Sequence, residues 1–199
     1  MKKAAVGFSV HSGWTALVVV SVGKGMPKVL RRERLRLVKT FSFRFRQPYH
    51  TAEKMRLEDA EKFVAGVRKE AEELAYRALR DAQVGLEKEG YRLERGGLLL
   101  AAGRALPELE KILMSHALIH SADGELFREV IREACERCGV QVKCVKAKEL
   151  LKECGEKFSI GEAELLRRVT EMGKPFGAPW SQDEKFATLV AWLAGRKQS

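Results

Sequence analysis

Two spacings of hydrophobic residues divide the chain. Residues 4–11 (AAVGFSVH) and 14–22 (WTALVVVSV) are almost continuously apolar and rich in β-branched side chains, with His11-Ser12-Gly13 between them, which is the pattern of a hairpin. A second turn follows at Gly23-Lys24-Gly25-Met26-Pro27. The stretches 28–38 (KVLRRERLRLV) and 41–46 (FSFRFR) then alternate with a period of two, so both read as strands. Phe41, Phe43 and Phe45 share one face of the second stretch, and Ser42, Arg44 and Arg46 share the other. Pro48 closes the run.

Beyond residue 55 the spacing changes to three and four. Ala60, Phe63, Val67, Ala71, Leu74, Ala78 and Ala82 predict one long helix over 55–89, stopped by Gly90, and its frequent alanines leave room for a homodimer seam. The unbroken apolar run 97–102 predicts a central strand covered on both faces. Pro107 opens a helix that pauses at Ser121-Ala122-Asp123-Gly124, where Asp123 suits an N-cap, and resumes as far as Gly139. A strand over 140–146 and a short helix over 147–154 come next, the latter ended by Gly155. Two capping boxes, Ser159-Ile160-Gly161-Glu162 and Ser181-Gln182-Asp183-Glu184, open the last two helices. Strands alternating with helices predict parallel crossovers. The expected architecture is one α/β domain over 1–199, a mixed sheet that begins as an antiparallel meander and carries helices on both faces.

Charge sharpens this picture. Residues 1–50 hold eleven Lys/Arg against the single acid Glu33, whereas residues 51–199 hold 26 of each sign, so the whole net charge of +10 lies in the basic meander. Charge concentrated on one structural unit points to a polyanionic partner, nucleic acid first. Lys28, Arg31, Arg32, Arg34, Arg36, Lys39, Arg44 and Arg46 are the candidate phosphate contacts, because guanidinium groups pair with phosphate bidentately and the interleaved Phe rings stack on bases. The plainer alternative is a buried Phe face whose arginines only guard a sheet edge.

The apolar start is broken by Ser9, His11, Ser12 and Gly13 and is too short for a membrane span, so the expected location is the cytoplasm, with no membrane partner. Cys135, Cys138, Cys144 and Cys154 supply a lone C-x-x-C at the end of a helical stretch, without the second pair of a zinc ribbon; buried or incidental thiols are the first reading, and metal or redox use is the second. No glycine-rich phosphate loop, nucleophile elbow or H-E-x-x-H run is present, and no motif names a cofactor.

The order of elements resembles the ribonuclease H-like fold, shared by Holliday-junction resolvases, transposases and, in elaborated form, actin-like ATPases. The resemblance spans roughly residues 4–194. Val6-Gly7-Phe8-Ser9-Val10-His11-Ser12-Gly13-Trp14 is similar to the family's first strand and turn, and Gln182-Asp183-Glu184-Lys185-Phe186-Ala187 looks like the resolvase pattern of an acid opening the last helix. The resemblance implies two divalent metals held by carboxylates from the first strand, the end of the fourth strand and the last helix. This chain offers Ser9, Gly103-Arg104 and Asp183 at those places. The expectation is therefore the fold without the standard two-metal centre, since one carboxylate cannot hold a pair of hard cations.

Two further constellations suggest chemistry. His116 and His120 lie four apart on one helical face, a spacing that chelates a transition metal and equally continues the stripe of Leu109 and Leu113. In the resembled topology His11, Arg104 and Asp183 approach one another, joined by His120 or Glu125 if the broken helix leans that way. The first reading is thus a nucleic-acid-associated protein. The second is a divergent nuclease or phosphoesterase built on His11, His120, Glu125 and Asp183, and the third is an assembly module whose basic edge meets an acidic protein.

Overall fold

The computed structural model describes residues 1–101 and 105–196. Gly103 and Arg104, expected at the end of the fourth strand, lie outside the described residues. A five-stranded sheet is ordered β3-β2-β1-β4-β5. Strands β1 (Lys2–His11), β2 (Trp14–Val22) and β3 (Val29–Arg36) form the antiparallel meander, β4 (Tyr91–Leu100) runs parallel to β1, and β5 (Gln141–Lys146) runs parallel to β4. The connections carry α1 (Phe43–Arg46), α2 (Pro48–Ala52), α3 (Leu57–Lys88), α4 (Leu109–Leu113), α5 (His116–Arg137), α6 (Leu150–Phe158), α7 (Glu162–Gly173) and α8 (Gln182–Gly195). No helix among the described residues is long and apolar enough to cross a membrane.

Side-chain alternation along β1 decides which helix meets which residue. Ala4, Val6 and Phe8 point to the face covered by α3 and α5, where they join Val67, Leu79, Phe127 and Val130. Ala5 and Gly7 point the other way, to the face covered by α8. That helix is apolar on nearly every side, since it fills the space between the sheet and helices α6 and α7. Gly7 and Gly97 are partners in the β1–β4 register. A Cβ on Gly7 would stand 1.9 Å from the carbonyl oxygen of Ala187, and one on Gly97 would stand 2.4 Å from that of Val190. The glycine pair forms the seat on which the α8 backbone rests.

Several local expectations need correction. Residues 41–46 are not a strand: Phe43–Arg46 turn as a single helical segment, leaving Phe41 and Phe43 exposed. The helix expected to break at 121–124 runs unbroken from His116 to Arg137, and the break falls instead at Met114-Ser115. Asp123 is consequently no N-cap but a buried mid-helix acid. Gly155 lies inside α6 rather than ending it, and Ser159 takes a left-handed conformation after α6. The first capping box does not form, because Gly161 is the N-cap of α7. The second forms at Ser181. Four alanines of α3, Ala60, Ala71, Ala75 and Ala82, are buried in the chain's own core, whereas Ala65 is exposed.

Candidate functional site

The same alternation that turns Gly7 toward α8 turns Ser9 and His11 toward its N-terminus. There the capping box fixes the first turn: the Ser181 hydroxyl accepts from Asp183 N (3.3 Å) and the Glu184 carboxylate accepts from Ser181 N (2.8 Å). Asp183 Oδ1 then accepts from the Ser9 hydroxyl at 3.0 Å and lies 2.7 Å from His11 Nε2. The His11 ring is stacked on Trp14 with centroids 4.4 Å apart, and the Arg34 guanidinium covers Trp14 at 4.7 Å. Arg34 Nε donates to the fully buried Glu184 at 2.9 Å, so β3 and α8 are tied beside the His11–Asp183 pair.

Burial alone would raise the pKa of Glu184, but hydrogen bonds from Ser181 and Arg34 outweigh it and hold the group below its ordinary value of 4.5. A carboxylate with a depressed folded-state pKa stabilises the fold above its unfolded pKa and loses that contribution as pH falls through the folded value. Glu184→Gln is therefore expected to cost about 1.5–3 kcal/mol at pH 7, the range for hydrogen bonds to a charged group. The gap to the parent should close as pH falls below 4.5. Urea unfolding of both proteins between pH 7 and 3 checks this, and a gap that stays constant with pH would show that the charge is not its source.

The basic residues separate by strand face and position. Arg32 Nη1 donates to the carbonyls of Pro179 and, at 3.4 Å, Gly177, and Arg34 holds Glu184. Arg31 pairs with Glu33 at 3.3 Å and lies against Gly85 of α3, while Lys39 pairs with Glu70 at 3.2 Å. Lys28 is exposed. At the end of β3 and beyond it the remaining arginines meet rings: Arg36 and Arg46 cover Phe41 at 5.3 and 4.8 Å, and Arg44 covers Phe63 at 4.7 Å. Arg46 also packs on Gly13, in the turn after His11, so this arginine–aromatic group and the acid–base pair share the carboxyl end of β1.

His120 and Glu125 do not join His11. Among the described residues, His120 meets His116 and His50, and Glu125 pairs with Arg128 at 2.8 Å. His50, on α2, was missed in the sequence, as was its tie to Asp123: His50 Nδ1 lies 2.5 Å from Asp123 Oδ2, and Tyr49 N donates to Asp123 Oδ1 at 2.8 Å. Burial raises the pKa of Asp123, against the opposing pull of these two partners. The four cysteines are free thiols, and burial pushes that of Cys154 up to about 12. A cavity of about 620 Å³, lined by Lys3, Glu94, Gln141 and Lys143, opens at the other end of the sheet from His11 and Asp183.

The fold has counterparts among solved structures. A T. thermophilus RuvC in complex with Holliday junction substrate matches with a TM-score of 0.54 over 96% of this chain and 91% of that chain, at 12% sequence identity. A Thermus thermophilus RuvC structure matches with a TM-score of 0.52 over 96% and 92%, at 13% identity. The fold is ribonuclease H-like. No protein-family model matches the chain, and no curated protein matches it in sequence. Within this ribonuclease H-like fold, the described residues that β1 and α8 bring together are one hydroxyl, one imidazole and one carboxylate: Ser9, His11 and Asp183. Glu184, the neighbouring acid, is turned to Arg34 and Ser181. Two hard divalent cations need several anionic oxygens to offset their mutual repulsion, and this donor set does not fit them.

Proposed function

We propose that the chain binds nucleic acid through phosphate contacts at the carboxyl end of β1 and does not work through a two-metal centre. One observation carries the reading: the guanidinium groups of Arg36 and Arg46 flank Phe41, with Phe41 and Phe43 41% and 57% exposed. Solvent-facing rings among arginines that make no ion pair within the described residues suit a strand whose phosphates meet the cations and whose bases stack. The Holliday junction bound by a RuvC of the same fold supports a nucleic-acid partner. Arg32 and Arg34 have a smaller part in this reading than Arg36, Arg44 and Arg46, since their donors already serve the segment leading into α8.

The first test is binding of labelled single-stranded, duplex and four-way DNA at increasing salt, followed by incubation with magnesium. Three or more phosphate contacts predict a log–log slope on duplex of roughly −2.7 or steeper. No cleavage is expected. A flat salt dependence would sink the binding proposal, and magnesium-dependent cleavage lost in Asp183→Asn would restore the metal nuclease. The His11–Asp183 hydrogen bond favours a second reading, metal-independent phosphoester hydrolysis with His11 as proton carrier. Hydrolysis in excess chelator that disappears in His11→Gln would support that reading.

A further inference from the structure

Three of the chain's four histidines converge at one point, although the sequence separates one of them widely from the other two. His116 and His120 stand one turn apart at the start of α5, with their Nε2 atoms 3.0 Å apart. His50 reaches them from α2, its ring centroid 5.3 Å from that of His116 and 4.3 Å from that of His120. The three rings meet at steep mutual angles of 88°, 69° and 82°. One ligand nitrogen from each lies within 4.8 Å of the others. We propose that His50, His116 and His120 form a binding site for a single transition-metal ion of the zinc class, with an open fourth position.

The arrangement around His50 argues for a ligand rather than a packing accident. The Asp123 carboxylate, 3% exposed, takes the Nδ1 side of the ring, an arrangement that holds the proton there and leaves Nε2 as the nitrogen to ligate a metal. A carboxylate behind a histidine is the arrangement that orients metal-bound imidazole and raises its basicity. Tyr49 N donates to the second Asp123 oxygen, so the carboxylate is itself held by the α2 backbone. Among the described residues no hydroxyl, carbonyl or carboxylate meets the Nε2 atoms of His116 and His120, which meet each other. At 3.0 Å the Nε2 atoms of His116 and His120 share one proton as a hydrogen bond, and a cation in its place is bound by both lone pairs.

The dimensions agree. Tetrahedral ligand nitrogens about 2.0–2.1 Å from zinc stand roughly 3.3 Å from each other, close to the 3.0 Å between His116 and His120. The pairs with His50 lie within 4.8 Å and need to close by at most about 1.5 Å. An all-imidazole set selects zinc, copper or nickel over magnesium and calcium, which prefer oxygen. His116 and His120 are exposed, so the fourth position faces solvent, where water or another oxygen donor completes it. The Phe43 ring lies edge-on to His50 at 6.1 Å, which sets the site beside the exposed aromatics of α1.

The site is tested on the full chain, stripped of metal and free of nucleic acid, so the result is independent of the binding proposal above. Zinc is titrated against a chromophoric chelator, and cobalt is added separately as a spectroscopic probe. The expected result is one equivalent of zinc per chain and tetrahedral cobalt absorption without a thiolate charge-transfer band. His116→Ala/His120→Ala changes exposed side chains only and should lose that equivalent with circular dichroism unchanged. Asp123→Asn should weaken it by about 10–100-fold, the cost of losing a carboxylate behind a histidine ligand. No stoichiometric binding by the parent, an equivalent that survives in the double variant, or a thiolate band placing the ion on the cysteines would each overturn the proposal.

Discussion

Replacing Gly7 with alanine is expected to destabilise the protein by about 4 kcal/mol or more, one of the largest effects a single methyl group can have here. The new Cβ would lie 1.9 Å from the Ala187 carbonyl oxygen, so the α8 backbone must retreat by more than an ångström. No rotamer change relieves this, because the obstacle is main chain. Retreat opens the packing of Val190, Ala191, Leu193 and Trp192, and it draws Asp183 away from Ser9 and His11. Close-packed interiors resist both the added volume and the shift. At about 2–4 °C per kcal/mol for a chain of this size, the midpoint of thermal unfolding should fall by roughly 8–16 °C. Gly66→Ala supplies the control. Gly66 is an exposed position inside α3, and a methyl group added there would meet nothing within 4 Å, so the same chemical change should stabilise by about 0.5–1 kcal/mol. Equal effects at the two glycines would refute the close seat of α8 on the sheet.

Changing Arg36, Arg44 and Arg46 together to glutamine is expected to abolish most nucleic-acid affinity while leaving the fold intact. Each phosphate contact on duplex contributes about 0.9 to the salt slope, so losing three should make it shallower by roughly 2.7, worth a few hundred-fold at 0.1 M salt. The comparison is Arg32→Gln/Arg34→Gln on the same strand. Those side chains hold Pro179 and Glu184, so their loss should appear as a lower unfolding free energy, with a salt slope closer to the parent's. The measurement is fluorescence anisotropy across a salt series, paired with thermal melts. If the second pair flattens the slope and the first three do not, the phosphate-binding face lies on β3 toward α8 and not around Phe41.

The sheet was legible because its strands carry long local signals. The apolar runs of β1 and β2 around Gly13 admit few alternatives to a hairpin, and residues 97–100 of the apolar run fall in β4, an interior strand between β1 and β5. Reading failed where six residues had to decide. Phe-Ser-Phe-Arg-Phe-Arg alternates like a strand, but a single helical turn also satisfies that pattern, and Pro48 opens the helix that follows. Ser121-Ala122-Asp123-Gly124 looks like a helix break because its residues favour turns. Asp123 is instead kept in the helix by partners on α2, Tyr49 and His50, far away in sequence.

The candidate site divides in the same way. Asp183 followed from the capping box and the resemblance, and His116 with His120 followed from helical spacing. His50 had no local signal at all, since its pairing with α5 exists only after the crossover through α3 has formed. The division of the arginines between a clasp on α8 and a rim around Phe41 likewise depends on which strand face meets the last helix, which charge counting cannot resolve.

The order β3-β2-β1-β4-β5 leaves two strands with unpaired backbone on their outer sides, and both are heavily charged: Arg31, Arg32, Glu33, Arg34 and Arg36 on one margin, Lys143 and Lys146 on the other. A second copy adding its own β3 to that margin would set arginine against arginine, and β5 is only six residues long. Charged or short outer strands are a common defence against runaway growth of sheets into fibrils. Substituting the β3 arginines with threonine or valine would thus do more than alter a binding face: it would strip one margin of its resistance to ordered aggregation.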